Sequence, residues 1–345
     1  MNTQKTKSVI VIGAGIAGME SSAQLASFGH QVTLLEKEKV VGGHVANWER
    51  LFPTMKPASE IIDLLKTDIM NNVNVQLDAE VFKIEFSNQE FIVTLTDGQI
   101  LKSDAVLLAT GYDLFDPRGK EEYGYGIYDN VITSAELEAV FKNGKELKTS
   151  TGKTPKRVGI IHCVGSRDIK AGNQYCSNVC CITGVKQAIE IKEAVPDAEV
   201  FCFYMDLRMF GRYFEDMYLK AQEKYGVQFV RGRLSEACEN QDGSLIIKVE
   251  DTLASKPLKM TVDLIVLLLG FEASKGTTSL GKMLHLNFGD DRFISPTNEH
   301  LLRHNTKMEG IFVAGTCTGP KSIIATISDA RGAVITVNNY LNNLN

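Results

Sequence analysis

The sequence predicts an α/β protein with two domains, each built on a parallel sheet that is covered by helices. Two segments with the order strand, turn, helix and strand indicate this class, one starting at residues 8–12 and the other at Val158–His162. Apolar runs such as Leu264–Leu269 are typical of strands that are buried on both faces. A length of 345 residues is sufficient for two domains of ordinary size.

Composition and charge restrict the class of protein further. The net charge of −5 argues against nucleic acid or an anionic membrane as the main partner. No apolar run approaches the roughly 20 residues that a membrane span needs, and the N-terminus shows no secretory signal. We therefore predict a cytoplasmic protein, in which clustered cysteines bind metal or perform redox chemistry and do not form structural disulfides.

The turn after the first strand carries the fingerprint of a dinucleotide site. The first glycine makes the tight turn, the second lets the backbone approach the pyrophosphate, and the third lets the helix pack on the strand. A helical pattern follows and ends at Gly29, and the next strand, Val32–Leu35, ends in Glu36, which can accept a hydrogen bond from a ribose hydroxyl. The turn consists of Gly13, Ala14, Gly15, Ile16, Ala17 and Gly18.

Three further motifs decide which dinucleotide is bound. They are the glycine pair Gly42-Gly43, the segment Ala109-Thr110-Gly111 and the segment Ile311–Thr316. In this order the motifs resemble the flavin disulfide-reductase superfamily, whose proteins have two Rossmann-like domains of three layers (ββα). The resemblance implies FAD, and not NAD, at the first site. Thr316 departs from the superfamily, which usually has an aspartate there as a contact to the sugar chain of the flavin.

The same resemblance implies which residues lie along the FAD. Val81 would lie near the adenine, although its position is equally that of an ordinary strand residue. Pro320 suits the first turn of a final helix whose positive N-terminal end would face the flavin. Lys321 would favour the reduced flavin there, or is a solvated lysine. The full set is Gly13, Gly15, Ile16, Ala17, Gly18, Glu36, Lys37, Gly42, Gly43, His44, Val81, Ala109, Thr110, Gly111, Gly315, Thr316, Pro320, Lys321, Ser322 and Ile323.

Other local patterns predict secondary structure between these motifs. Residues 73–104 suggest small antiparallel strands with a hairpin turn at residues 97–98. Ser134 is expected to cap a helix that runs to about Phe141. In the second domain we expect a helix over Thr183–Ala194 and a single strand over Met260–Leu269.

The corresponding turn of the second domain lacks the glycine fingerprint. It retains Gly165, and a long insertion with cysteines replaces the tight turn, so we expect no nicotinamide site. Four of the seven cysteines lie here, at Cys163, Cys176, Cys180 and Cys181. Four thiolates are the ligands of an iron–sulfur cluster or of a structural zinc. A cluster is favoured because the spacing lacks the paired CxxC of zinc sites; zinc and redox-active thiols remain alternatives.

The whole pattern resembles the flavoprotein A subunit of heterodisulfide reductase. The cysteine run, the segment Met205–Arg212, the Arg231-Gly232-Arg233 triplet and the loop 315–323 carry the resemblance. It implies a [4Fe-4S] cluster on the four cysteines, in a nicotinamide-domain-like domain over 118–270. The FAD domain would comprise 1–117 and 271–345.

The resemblance also implies the biological setting. It suggests an electron-transfer subunit that works with other iron–sulfur subunits and forms a homodimer in isolation. A short form is similar to the A subunits of sulfur-oxidising heterodisulfide-reductase-like complexes, which act on thiol-bound or disulfide sulfur. The flavoprotein of a quinone-interacting complex and a free-standing NAD(P)H-dependent flavin disulfide reductase are the alternatives.

Overall fold

The computed structural model describes residues 6–344 and divides them into two compact units. The first unit comprises 6–46, 58–113 and 272–344, and the second comprises Asn47–Pro57 and Leu114–Phe271. Both are mixed α/β structures with a parallel five-stranded sheet at the centre, which confirms the predicted fold class.

The strands of the described chain are numbered in chain order. They are β1 Ser8–Ile12, β2 Gln31–Leu35, β3 Arg50–Leu51, β4 Lys56–Pro57, β5 Val73–Gln76, β6 Val81–Ser87, β7 Glu90–Leu95, β8 Ile100–Ser103, β9 Ala105–Leu108, β10 Tyr112–Leu114, β11 Val131–Thr133, β12 Arg157–Val164, β13 Glu199–Tyr204, β14 Gln228–Arg231, β15 Leu234–Glu239, β16 Leu245–Asp251, β17 Lys256–Val262, β18 Leu264–Leu269, β19 Phe271–Ala273 and β20 Ile311–Val313.

The helices follow the same order. They are α1 Ile16–Ser27, α2 Ala58–Met70, α3 Ser134–Lys142, α4 Cys180–Ala194, α5 Phe214–Glu223, α6 Lys275–Met283 and α7 Ile323–Asn343.

The sheet of the first unit has the order β20-β9-β1-β2-β5, and every neighbouring pair is parallel. The register places the last residues of β1, β2 and β9 side by side, with Ile12 opposite both Leu35 and Leu108. Val313 at the end of β20 is also opposite Leu108. The turns that follow these strands therefore start from one edge of the sheet.

The sheet of the second unit has the order β11-β18-β12-β13-β14 and is also parallel throughout. Its strand β12 pairs in register with β18 as far as Ile161 and then shifts before Val164. This irregularity lies at Cys163, whose φ of 61° is in the left-handed region. The cysteine insertion therefore begins with a bend in the central strand.

Two strand predictions were wrong. Residues 260–269 form two strands, because the carboxylate of Asp263 accepts hydrogen bonds from the backbone of Lys156 and Arg157 at 2.7 and 2.9 Å and interrupts the run. Residues 73–76 belong to the parallel sheet, since helix α2 precedes them and provides the crossover that a parallel pair needs. The antiparallel β6-β7-β8 sheet and its turn at 97–98 agree with the prediction.

The cap of one helix and the starts of two others differ from the prediction. Thr133, and not Ser134, is the cap of α3; its hydroxyl accepts from the backbone of Glu136, whose side chain returns to the backbone of Thr133. Helix α4 begins at Cys180 and so takes in two of the cysteines. Helix α7 begins at Ile323 with Ser322 as its cap, so that Pro320 lies before the helix and not in its first turn.

Within residues 6–344 no helix combines the length and the apolar composition that crossing a membrane requires.

The cap of α3 gives a test of this fold. We expect Thr133→Ala to lower the free energy of unfolding by about 1 kcal/mol, because the capping hydrogen bonds are lost. Ser134→Ala is the matched control and should change it by less than about 0.5 kcal/mol, since Ser134 does not cap the helix. Urea unfolding followed by circular dichroism measures both; equal losses would contradict the assignment of the cap.

Candidate functional site

The three glycines of the first turn have different surroundings. A Cβ atom on Gly13 would lie 2.5 Å from the carbonyl oxygen of Ala109, and one on Gly18 would lie 1.8 Å from the oxygen of Gly13. A Cβ atom on Gly15 would meet no protein atom within 4 Å. Gly15 is also the residue before helix α1. The structure therefore leaves open space at the helix N-terminus, where a pyrophosphate fits.

Glu36 directly follows β2 at the same edge of the sheet and is 8% exposed. Its carboxylate accepts hydrogen bonds from the backbone N–H of Ala14 at 2.7 Å and of Glu38 at 3.0 Å. Each carboxylate oxygen retains a lone pair for a further donor. The carboxylate is thus fixed in orientation beside the glycine turn and can still accept from a ribose hydroxyl.

The other glycine motifs of the first unit meet this turn. A Cβ atom on Gly43 would lie 3.2 Å from the Cα of Gly15, and one on Gly315 would lie 2.6 Å from the Cβ of Ala17. The backbone N–H of Gly42 donates to the oxygen of Ala14 at 2.7 Å. The structure therefore brings together three motifs that are far apart in the sequence.

The segment 109–111 lies in the same group. The N–H of Ala109 donates to the oxygen of Ile12 at 2.9 Å. A Cβ atom on Gly111 would be 3.8 Å from the hydroxyl of Thr316. The hydroxyl of Thr110 is 2.6 Å from that of Thr277, at the start of α6.

Three other predicted residues lie around this group. The ring of His44 stacks on that of Tyr112 with centroids 4.4 Å apart, and its Nε2 is 2.8 Å from the carbonyl oxygen of Tyr112. Lys37 is exposed and its ammonium group is 3.9 Å from the carboxylate of Glu38. Val81 begins β6 and packs against the core. Of the three, Lys37 is directed towards solvent.

The loop before α7 is held by two charged side chains. The ammonium group of Lys321 donates to the carbonyl oxygen of Gly315 at 2.9 Å and to the hydroxyl of Thr318 at 2.7 Å. Burial lowers the pKa of Lys321. Asp329 accepts from the N–H of Gly315 at 2.7 Å. Sequence reasoning missed Asp329. The available signal was that Asp329 is the one carboxylate of α7, a helix whose other charged residue is Arg331.

Cys317 lies within the same loop but faces inwards. Its thiol donates to the carbonyl oxygens of Ala314 and Leu108 at 3.1 and 3.3 Å. Burial raises its pKa to about 12. The thiol therefore stays protonated at neutral pH and serves the packing of the loop.

In the second unit, three of the four predicted ligand thiols are close to one another. The sulfur atoms of Cys163 and Cys180 are 3.8 Å apart. A hydrogen bond from Cys180 lowers the pKa of Cys163, and another, helped by His162, lowers the pKa of Cys181 to about 4. The hydrogen bonds with Cys163 and Cys181, together with burial, raise the pKa of Cys180 well above its usual value. The thiolate, the form that ligates metals, is therefore favoured at Cys163 and Cys181.

Cys176 is more exposed than the other three and comes from the loop before α4. Its sulfur accepts the backbone N–H of Asn178 at 3.3 Å. None of the four cysteines forms a disulfide. Four thiols, from the end of β12, the following loop and the first turn of α4, fit a [4Fe-4S] cluster in number and chemistry. In the described part of the chain, no three His, Cys, Asp or Glu side chains already form a ligand shell for a single metal ion.

A buried polar network holds the loop that carries Cys176. The hydroxyl of Ser166 donates to the carbonyl oxygen of Tyr175 at 3.0 Å and accepts from the hydroxyl of Ser177 at 3.0 Å. The side-chain amide of Asn173 donates to the oxygen of Gly165 at 2.9 Å. The loop is thus tied at both ends to the strand that carries Cys163.

Asp168 is the charged centre of this loop and is 3% exposed. Its carboxylate pairs with Lys120 at 3.0 Å and with Arg233. Burial alone would raise the pKa of Asp168, but the hydrogen bond from Lys120 and the charge of Arg233 lower it. The carboxylate is therefore ionised at neutral pH.

Helix α4 is anchored by a second set of buried charges. Lys186 pairs with Glu138, and Gln187 donates to the same carboxylate at 2.7 Å. Lys186 also lies 3.4 Å from Glu190, whose pKa is raised to about 8 by burial. These contacts fix the helix whose first turn contains Cys180 and Cys181.

Comparison with known proteins agrees with this geometry. The model of the family described as pyridine nucleotide-disulphide oxidoreductase matches residues 7–174 and 180–333. The chain belongs to this family. It is accordingly assigned to the FAD-dependent oxidoreductases, as the glycine motifs at the edge of the first sheet predict.

Relatives confirm the resemblance to the A subunits of heterodisulfide reductases. The chain is 35% identical to the A subunit of the H2/formate:CoB-CoM heterodisulfide,ferredoxin reductase of Methanococcus maripaludis, over 96% of this chain and 64% of the relative. It is 34% identical, with the same coverage, to the iron-sulfur A subunit of the CoB–CoM heterodisulfide reductase of Methanocaldococcus jannaschii. The chain thus spans slightly less than two thirds of the length of these relatives.

Solved structures support the fold. The thioredoxin reductase of Lactococcus lactis superposes with a TM-score of 0.69 at 16% identity, covering 98% of this chain and 100% of the other. That of T. acidophilum gives 0.67 at 17% identity, with coverage of 96% and 98%.

The open space at Gly15 can be tested. We expect Gly15→Ala to leave thermal stability unchanged, because the added methyl group meets no protein atom, and to weaken FAD binding at least about tenfold, because it enters the phosphate space. Gly276→Ala in α6, where the nearest atom is 3.8 Å away, is the control and should keep its FAD. The FAD per chain and a fluorescence titration measure the effect; unchanged binding in the Gly15 variant would count against this cradle.

The buried charge of Asp168 gives a second test. Asp168→Asn should lower the free energy of unfolding at pH 7 by about 3 kcal/mol, because it removes the buried carboxylate that pairs with the buried ammonium group of Lys120. Asp116→Asn removes an exposed pair with Arg118 and should cost less than about 1 kcal/mol. The pKa of Asp168 in the folded protein is lower than its ordinary value of 3.8. The carboxylate therefore contributes to the free energy of unfolding at neutral pH, and this contribution is lost as the pH falls below 3.8. Urea unfolding at pH 7 and at pH 3 measures this; similar losses for both variants would exclude the proposed role of burial.

Proposed function

We propose that this protein is an electron-transfer subunit that binds FAD in the first unit and a [4Fe-4S] cluster in the second, within a heterodisulfide-reductase-like complex. The observation that carries the proposal is the group of thiols at the end of β12, where a nicotinamide domain would have its glycine turn. When bound, the flavin supplies two-electron chemistry and the cluster one-electron chemistry.

Residues of this chain would hold the FAD in defined ways. The pyrophosphate would bind at Gly15 and the N-terminus of α1, and the carboxylate of Glu36 would accept a hydrogen bond from a ribose hydroxyl. Lys321 and Asp329 keep the loop 315–321 in one conformation through Gly315. That loop would bring the backbone before α7 to the flavin.

The second unit is poorly suited to a nicotinamide. Its first turn retains Gly165, but a Cβ atom there would lie 2.0 Å from the ring of Phe115. The ring of Phe115 therefore fills the space beside the one glycine that this turn retains from the fingerprint. This favours an electron-transfer role over that of a free-standing NAD(P)H-dependent reductase.

The substrate class and partners follow from the relatives. Their names describe reductases of a CoB-CoM heterodisulfide, and one name describes an iron-sulfur component. We extend this to a complex that acts on disulfide or thiol-bound sulfur, with oxidation of such sulfur in the cytoplasm as the specific proposal. Iron–sulfur subunits would be the partners and would carry the substrate chemistry. Residues 118–270 would be the cluster domain.

Cluster content tests the proposal directly. Anaerobically reconstituted protein should contain about four iron and four sulfide per chain. Cys176→Ser should lose most of this iron and the broad visible absorption, because one of four ligands is removed. Cys238→Ser is the control, because Cys238 is an exposed cysteine outside the group, and it should retain both.

Two results would contradict the proposal. One tightly bound zinc without iron would indicate a structural metal site. Rapid loss of flavin absorbance on mixing with NADH or NADPH would indicate a working nicotinamide site and a free-standing reductase.

A further inference from the structure

A half-buried cationic side chain, that of Arg167, lies at the beginning of the loop that carries Cys176. Arg167 has a φ of 54°, and its side chain is 21% exposed. The Nη2 atom donates to Oδ2 of Asp206 at 2.7 Å. The Nη1 atom is buried and makes no hydrogen bond within the part of the chain that the structure describes. One edge of the guanidinium is therefore held, and the other is available.

The backbone places Arg167 between two of the proposed ligands. The N–H of Ser166 donates to the oxygen of Cys163 at 3.2 Å and turns the chain back beside that cysteine. The N–H of Arg167 donates to the oxygen of Tyr175 at 2.9 Å, next to Cys176. Arg167 is thus adjacent to ligands that come from both ends of the loop.

The partner of Arg167 touches a third ligand. The sulfur of Cys181 lies 3.5 Å from the backbone oxygen of Asp206. The guanidinium of Arg167 interacts electrostatically with Cys163 and with Cys176. The ion pair between Arg167 and Asp206 is therefore in contact with the cysteine site, and its role is not limited to stabilising the protein surface.

The positive charge of Arg167 would affect the reduction potential of a cluster bound at this site. Four thiolates bring four negative charges into a partly buried site, and reduction adds one more. The net charge around a cluster and the hydrogen bonds to its sulfur atoms set its reduction potential. A guanidinium keeps its positive charge at any physiological pH.

We propose that Arg167 raises the reduction potential of the cluster by directing the unpaired edge of its guanidinium towards Cys163 and Cys176. This inference rests on the proposed function. Asp206 partly neutralises Arg167 and holds it in place, so Asp206 has the opposite influence on the potential.

The test is a redox titration of the reconstituted protein, followed by the electron paramagnetic resonance of the reduced cluster. Arg167→Gln should lower the equilibrium constant for one-electron reduction at least about tenfold, which corresponds to 59 mV. Arg167→Lys, which keeps the charge, should lower it less. Asp206→Asn should shift it in the opposite direction, because a negative charge is removed.

The matched control is Arg231→Gln. Arg231 lies 3.6 Å from the other oxygen of the same carboxylate and should leave the equilibrium constant within about threefold of the wild-type value. An unchanged value for Arg167→Gln, or an equal fall for Arg231→Gln, overturns the inference. If Arg167→Gln binds no iron, Asp206→Asn decides, and a fall or no change overturns it.

The same measurement separates this inference from the proposed function. Wild-type protein that binds no iron overturns both. Wild-type protein with four irons per chain and no shift in the Arg167 variants overturns the role of Arg167 alone.

Discussion

The backbone turn at the end of the central strand is the constraint on which the site in each unit depends. In a parallel sheet the carboxyl ends of all strands face one edge, and the turn after the central strand decides what that edge can bind. In the first unit this turn is so tight that a side chain at Gly13 or Gly18 would collide with backbone. In the second unit the strand bends at Cys163 and opens into a long loop.

The two turns therefore support different chemistry on the same kind of sheet. The first leaves backbone N–H groups and the N-terminus of α1 facing open space, which suits an anion. The second has the ring of Phe115 against Gly165 and a pair of thiols at the bend of its strand. Because the turn in the second unit no longer approaches a phosphate closely, the loop can carry Cys176 and a buried polar network. The long insertion is thus compatible with the sheet that carries it.

In the second unit, buried charges and not tight backbone packing hold the cysteine site. Asp168 joins the loop to Lys120 and Arg233, and Lys186 joins α4 to Glu138. Removing one member of a buried ion pair is costly, because the remaining charge loses a partner in a medium of low polarity. Both segments that carry the thiols, the loop and the helix, are therefore restrained from within the same unit.

The sequence by itself determined the fold class, the glycine turn from Gly13 to Gly18 and the clustering of four cysteines between residues 163 and 181. Those features are local: hydrophobic periodicity and short spacings encode strands, helices and turns directly. It could not determine the cap at Thr133 over Ser134, or the division of residues 260–269, because these depend on hydrogen bonds with Glu136 and with residues 156–157.

Tertiary structure alone decided which distant groups meet. It brought Gly315 against Ala17, placed Asp329 on the backbone of Gly315, and set Arg167 between Asp206 and the cysteines. No sequence spacing encodes these contacts, since each joins elements that become neighbours only when the parallel strands align their ends. The sequence specified the chemistry of the groups, and the register of the sheets specified their positions.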